Sequence, residues 1–529
     1  MTEFPTTQNA IEIYGVDQVR LNRSKPVPSI GPTQILLKME ASGICFSDTK
    51  LMHAFDRHPR KSEVLGGLTP AELAEIPTYR PGSQPVVPGH EPVARIVAVG
   101  SEVSRHAVGE RVLVQTDYRH LPTASSNGSF GYNFDGALEE YALVDERVVL
   151  DPTTGERFLI PVSDAPSASA IALIEPWACV QASYAWPERQ QPKAGGRALV
   201  VGDATGTEEL YAVSGSVDRV ASVAEAGEGY DDIVYAGCDP NEVEALGAKL
   251  AGRGIIAIVT KGGSFGRRVK VDVGRVHYDL IRYVGTTGED ARDAYAKIPA
   301  TCELRSGDKV AVIGAAGPMG LMHTVRTAVS DLDGLTLDAV DVDDDRLARL
   351  AKVLGPIAEA HHLPVRVINS KNDPLQPGYT YVAVMVPVPV LLAQAIDLAG
   401  EGSIVNAFAG FAIGTMAELD LDGIVSRGVY LVGTSGSRIV DMNTVLHLVE
   451  QGTVDTNISL DAVSGMAGVP EAIEAVNNRT SGGKIMVYPT LPDLGYVRVA
   501  EMADKLPHVA AKLNDGMWTK EAEDALLGR

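Results

Sequence analysis

The chain writes one phrase twice. Residues 281–290 read IRYVGTTGED and residues 429–438 read VYLVGTSGSR. Sliding residues 231–288 onto 379–436 without a gap, an offset of 148, makes 14 of 58 positions identical. Average residue frequencies predict about four or five. The matches include Ala251-Gly252 on Ala399-Gly400, Gly254 on Gly402, Gly262 on Gly410, Gly266 on Gly414 and Asp272 on Asp420. Such self-similarity points to an internal duplication. Around each copy, continuous apolar runs alternate with helical segments. RALVVGDATG, YDDIVYAG, GIIAIVT and HYDLIRYVGTTG are followed by DKVAVIGAAGPMG, GLTLDAVDVD, YTYVAVMVPV, GSIVNAFAG and GVYLVGTSG. Strands apolar along their whole length belong in parallel sheets covered on both faces, so the predicted fold class is α/β. The first copy is shorter, with about 30 residues between its opening strand and YDDIVY against about 65 in the second.

A chain of 529 residues is too long for one core and implies two to four domains. Residues 1–150 carry short runs such as TQILLKMEASGIC, EPVARIVAVG and GERVLVQ, which read as β-rich structure. The Pro-rich stretch HPRKSEVLGGLTPAELAEIPTYRPGSQP reads as an insertion or lid-like loop. APSASAIALIEPWACVQASYAW has helical spacing, PERQQPKAGG is a linker, and the last 90 residues hold the amphipathic DMNTVLHLVEQG and a charged helical tail. The net charge of −22 repels nucleic acid and anionic membranes. No apolar run is long enough to span a bilayer. MTEFPTTQNAIEIYG has neither a basic nor an apolar signal region, and four scattered cysteines form no disulfide framework, so a cytoplasmic setting is expected.

Only the second copy is expected to hold a dinucleotide. VAVIGAAGPMG runs from a strand into a turn with Gly314, Gly317, Pro318, Met319 and Gly320. Glycines there let the backbone approach a pyrophosphate seated on the next helix N-terminus. Asp341 ends the following strand, 21 residues after Gly320. Its carboxylate suits a ribose 2′-hydroxyl and repels a 2′-phosphate, which favours NAD(H). The first copy, LVVGDATGTEE, places Asp203, Glu208 and Glu209 where phosphates would lie and has no clean acidic partner at the end of its next strand.

A metal constellation precedes both copies. SGICFSDTK supplies Cys45, Ser47 and Asp48, VVPGHEPVARIVAVG supplies His90 and Glu91, and ALIEPWACV supplies Glu175. A thiolate, an imidazole and carboxylates make a catalytic zinc shell with one position left for water or substrate. In order along the chain, GICFSD, GHEPVARIVAVGSEV, GERV, EPWAC, GAAGPMG and VGTSGS resemble the motifs of the medium-chain, zinc-dependent alcohol and polyol dehydrogenases. The resemblance covers about residues 10–187 and 304–490. AVDVDDDRL, NAFAG and GGKIMVY are similar to motifs of the L-sorbose-1-phosphate reductase branch.

The resemblance implies a GroES-like β-rich catalytic domain over 1–187 and 440–529 and an NAD-binding Rossmann domain over 304–439. An inserted, truncated Rossmann-like unit over 193–303 has no counterpart in it. It makes Cys45, His90 and Glu91 zinc ligands, with Glu175 a further one, directly or through water. Ser47 begins a proton relay and Asp48 orients the ligands. Arg346, Phe408, Gly410 and Thr434 complete the cofactor set. No cysteine lies between Cys45 and Cys179, so one catalytic zinc and no structural zinc is expected. Cys45 and His90 are also further apart than the family's usual spacing. The implied reaction interconverts a secondary alcohol and a ketone of a polyol, ketose or sugar phosphate, in a homodimer or homotetramer. A cyclitol or aminocyclitol dehydrogenase uses the same machinery, and a non-catalytic assembly protein is the alternative of another class. The basic residues His53, Arg57, His58, Arg60 and Lys61 form either a phosphate contact or a solvated loop.

Overall fold

The computed structural model describes residues 4–529. The first three residues of the N-terminal segment and of the expected catalytic domain lie outside the described residues. The chain forms two compact units, residues 1–179 with 437–529, and residues 180–436. Among the described residues no helix is long and apolar enough to cross a membrane.

The first unit is built on an eight-stranded sheet. Its central strand, Gln34–Ile44, pairs antiparallel with Glu91–Val99, with Tyr141–Asp145 and with the C-terminal strand Lys484–Val487. Alternation explains this: Ile35, Leu37 and Met39 share one core with Ala94, Ile96, Val112 and Phe134. The stretch expected to be a lid-like loop contributes to that core through Leu73 and Ile76, so part of it is structural. The C-terminal tail is a series of short helices ending in Lys520–Leu527. Its buried Glu523 accepts the backbone N–H groups of Ala168 and Ser169 at 2.6 and 2.8 Å and fastens the tail to this unit.

The second unit contains both copies of the repeat. The first is a five-stranded parallel sheet in the order Ser216–Val220, Arg197–Val201, Tyr230–Ala236, Leu250–Val259, Arg282–Thr286. The second is a six-stranded parallel sheet in the order Val365–Asn369, Thr336–Asp341, Lys309–Ile313, Tyr379–Val384, Ala399–Asn406, Tyr430–Val432. The two sheets share one hydrophobic core rather than forming separate ones. Truncation of the first copy is local. It lacks a counterpart to the helix Asp344–Ala360 and to the strand Val365–Asn369, and its glycine turn leads into a helix of one turn, Thr207–Leu210.

That glycine turn is filled by protein. Gly206, at φ +73°, is met by the Asp290 carboxylate and the Arg292 guanidinium. The N–H and hydroxyl of Thr205 both donate to the Glu289 carbonyl at 3.0 Å, and Ala291 N–H donates back to the Thr205 carbonyl. A diphosphate needs open space and free N–H groups at such a turn, and here residues 289–292 take the Thr205 N–H and crowd Gly206. Calorimetric titration with NADH is expected to give one site per chain, abolished by Gly317→Asp. Two sites, or binding that survives this substitution, would show that the first copy still works.

Candidate active site

Sheet register brings the three expected ligands together. Cys45 follows the last residue of the central strand, and Glu91 opens the neighbouring strand opposite Gly43. One donor atom each from Cys45, His90 and Glu91 lies within 4.8 Å of the other two. Gly43 makes this possible, because a Cβ there would lie 2.0 Å from Glu91 Oε2. Cys45 caps the helix Phe46–Ala54.

Asp48 ties the cluster. Its Oδ2 accepts the Cys45 N–H at 2.9 Å, and its Oδ1 accepts from His90 Nδ1 at 3.0 Å and from the Gly89 N–H at 3.3 Å. With Nδ1 bonded to the carboxylate, Nε2 is the ring nitrogen left to serve as a ligand. Burial pushes the Asp48 pKa up, but His90 and the two N–H groups outweigh it and hold the carboxyl below its usual range.

Glu91 is fully buried. Its Oε1 accepts from the Lys484 ammonium, which the C-terminal strand carries to this point. Its Oε2 is buried without any hydrogen-bond partner. A buried carboxylate oxygen left unpaired is costly, and a divalent cation is what would satisfy it. A thiolate, an imidazole nitrogen freed by a carboxylate, and this oxygen fit zinc chemically. Burial works against the Lys484 charge, but Glu91 more than compensates and holds its pKa above the ordinary value.

Glu175 lies in the first turn of the helix Ile174–Ala185 and is buried, but it stands outside the three-donor cluster. Burial, reinforced by the Glu91 charge, pushes its pKa up to about 7. Cys179, one turn on, directs its thiol to Glu175 Oε1 at 3.7 Å. Ser47 is half-buried at the start of its helix.

Sequence reasoning missed Gly43, Lys484 and Tyr132. The Tyr132 ring packs against His90 with centroids 5.3 Å apart and against His58 at 5.2 Å. The basic segment is not a free phosphate clamp. Lys61 is fully buried and spends its ammonium on the Arg80 and Gln84 carbonyls, while His53 bonds Asp17 and Asn477. The guanidinium of Arg60 sits over the Tyr132 ring at 5.2 Å.

In the second unit the glycine turn meets the geometric demand. A Cβ on Gly320 would lie 2.2 Å from the Gly314 carbonyl, so only glycine lets this helix close on its strand. Gly314 sits at φ +85°. Gly317 caps the helix Pro318–Ala328, with Pro318 at a position that needs no N–H partner and Met319 following. Asp341 Oδ2 accepts the Ala316 N–H at 3.2 Å and Oδ1 the Val342 N–H at 2.7 Å, which fixes the carboxylate at the turn. The Phe408 ring stands edge-on to His323 at 4.6 Å. His323 is fully buried, bonded through Nδ1 to the Tyr184 hydroxyl, and burial pushes its pKa down to about 3. The Thr434 hydroxyl is buried without a partner, Gly410 is half-buried, and the Arg346 N–H bonds the capping Asp343. A Cβ on Gly317 would meet nothing nearer than 3.6 Å, so this turn has room for a pyrophosphate where the turn of the first copy is filled.

Residues 31–153 match the alcohol dehydrogenase GroES-like domain family. A mannitol-1-phosphate 5-dehydrogenase of Aliivibrio fischeri is 29% identical over 252 residues, 42% of this chain and 57% of the relative. The (R,R)-butanediol dehydrogenase of Bacillus subtilis is 29% identical over 251 residues, 43% of this chain and 62% of the relative. The chain thus spans less than two thirds of the length of the curated relatives it matches. The crystal structure of 2R,3R-butanediol dehydrogenase from Bacillus subtilis superposes with a TM-score of 0.53 at 19% identity, over 91% of this chain and 100% of that one, which is a likeness of fold.

Asp48→Asn replaces an acceptor-only group with an amide that cannot accept from all three donors. It is expected to weaken zinc binding about 10–100-fold, measured by competition with a chromophoric chelator. Unchanged affinity would show that Asp48 does not position the ligands.

Proposed function

We propose that this chain, a member of the medium-chain, zinc-type alcohol dehydrogenase family, is an NAD(H)-linked oxidoreductase. It interconverts a secondary alcohol and the corresponding ketone of a polyol, ketose or sugar phosphate. The observation that carries this reading is the unpartnered Glu91 Oε2 among the donors of Cys45 and His90. Zinc held by these three residues supplies Lewis acidity toward a hydroxyl or carbonyl oxygen. NAD(H) held by Gly314, Gly317, Pro318, Met319, Gly320, Asp341, Arg346, Phe408, Gly410 and Thr434 supplies the hydride acceptor or donor.

The chain's own residues do the rest. Asp48 sets the His90 tautomer and anchors the Cys45 backbone. Lys484 neutralises one oxygen of Glu91 and leaves the other directed at the cluster. Glu175, with a pKa raised to about 7, supplies the remaining protein position, directly or through a water, and exchanges a proton near neutral pH. Ser47 passes the substrate proton toward solvent. The likeness to a mannitol-1-phosphate 5-dehydrogenase supports a polyol substrate class.

A spectrophotometric screen of NAD⁺ reduction over polyols, cyclitols and their phosphates tests the reading. Turnover is expected on a secondary alcohol and should fall at least 100-fold in Cys45→Ser. No reduction of NAD⁺ by any of them in zinc-loaded protein would reject it. Elemental analysis is expected to give one zinc per chain, and two would reveal a second site. Asp341→Ser with an arginine added nearby should shift preference toward NADP(H), and an unmodified protein that already prefers NADP(H) would contradict the role given to Asp341.

A further inference from the structure

The two copies of the repeat meet each other in a symmetric way. Strand Val269–Asp272 of the first pairs antiparallel with strand Met416–Leu419 of the second. The register is Val269 with Leu419, Lys270 with Glu418, Val271 with Ala417 and Asp272 with Met416. At the repeat offset of 148, the counterparts of Val269, Lys270 and Val271 are Ala417, Glu418 and Leu419. Lys270 therefore faces its own counterpart. Val269 faces the counterpart of Val271, and Val271 faces the counterpart of Val269.

The same reciprocity extends into the packing. A Cβ on Gly285 would lie 2.5 Å from Val425 of the second copy, and a Cβ on Gly433 would lie 2.8 Å from His277 of the first. Gly433 is the counterpart of Gly285, and Val425 is the counterpart of His277. A Cβ on Gly274 would meet the Ala412 carbonyl at 2.2 Å, while the Ser264 hydroxyl donates to Asp422 Oδ2 at 2.7 Å. Asp422 and Ala412 are the counterparts of Gly274 and Ser264. Edge strands Arg282–Thr286 and Tyr430–Val432, also counterparts, lie side by side, and Glu188 accepts from both Arg282 and Tyr430. Where residue i touches j and the counterpart of j touches the counterpart of i, the arrangement is that of an isologous two-fold interface.

We infer that the unit at 193–303 is a built-in partner subunit. It occupies, within one chain, the face on which two molecules of the second copy, residues 304–439, would pair about a two-fold axis. Its retained part is the interface, from the strand Tyr230–Ala236 through Arg282–Thr286, and its lost part is the cofactor turn. The interface glycines Gly285 and Gly433 lie inside the phrase that the sequence repeats. Self-association of the whole chain, if it occurs, uses other surfaces. This inference does not depend on the dehydrogenase reading.

Positions 270 and 418 are both exposed, which makes them usable probes. Full-length Glu418→Cys and the double variant Lys270→Cys/Glu418→Cys are treated with dibromobimane, which bridges and fluoresces only between adjacent thiols. Non-reducing electrophoresis and peptide mapping then locate the bridge. The double variant is expected to give an intrachain bridge between the peptides holding 270 and 418, at the mass of one chain. Glu418→Cys alone is expected to give no bridged dimer. A 418-to-418 dimer would mean that two chains pair on this edge. An interchain 270-to-418 bridge would mean that the copies are exchanged between chains, and a folded double variant without any bridge would contradict the register. Each of these three outcomes overturns the inference.

Discussion

One buried carboxylate governs the first unit. A carboxylate buried in this way has given up its hydration, which costs on the order of several kcal/mol even after relaxation. Lys484 offsets the charge through one oxygen, and the other oxygen has no donor. The polypeptide therefore meets half of the demand and leaves half for a cation. Meeting that half requires the strand Lys484–Val487 to return beside residues 34–44, so the closure of the sheet and the readiness of the candidate metal site are one event. Gly43 belongs to the same constraint, since any side chain there would displace the unpaired oxygen.

Much of the fold was legible because parallel strands buried on both faces leave continuous apolar runs, and these runs appear in the expected order in both copies. The shorter loop of the first copy became a missing helix and strand, as its length implied. The sharing of one core by both copies was not legible, because a buried leucine in a strand reads the same whether it faces its own layer or its twin's. Likewise, Lys61 stands in a run of basic residues, and nothing local reveals that its ammonium is consumed by two backbone carbonyls some twenty residues away.

Within the candidate site, short spacing was the readable signal. Cys45 and Asp48 sit three apart on one helix turn, and His90 and Glu91 are adjacent. The structure adds to them partners that no local pattern announces. Lys484 is separated from Glu91 by 393 residues, and Tyr132 reaches His90 from a turn of unremarkable composition. Glu175 shows the converse. It is near enough for the Glu91 charge to raise its pKa, yet its oxygens are not among the three clustered donors, a distinction that only side-chain placement resolves.

On a true two-fold axis, the central residue of an antiparallel ladder always meets a copy of itself. A charge at that place must face its like, which is destabilising, and a mutation there strikes both sides at once. Here the central pair is Lys270 and Glu418. Joining the halves in one chain has released them from identity, so that opposite signs stand where symmetry would have forced equal ones. The same freedom let one half fill its glycine turn with protein while its neighbour kept its own open, a difference that two identical subunits cannot evolve.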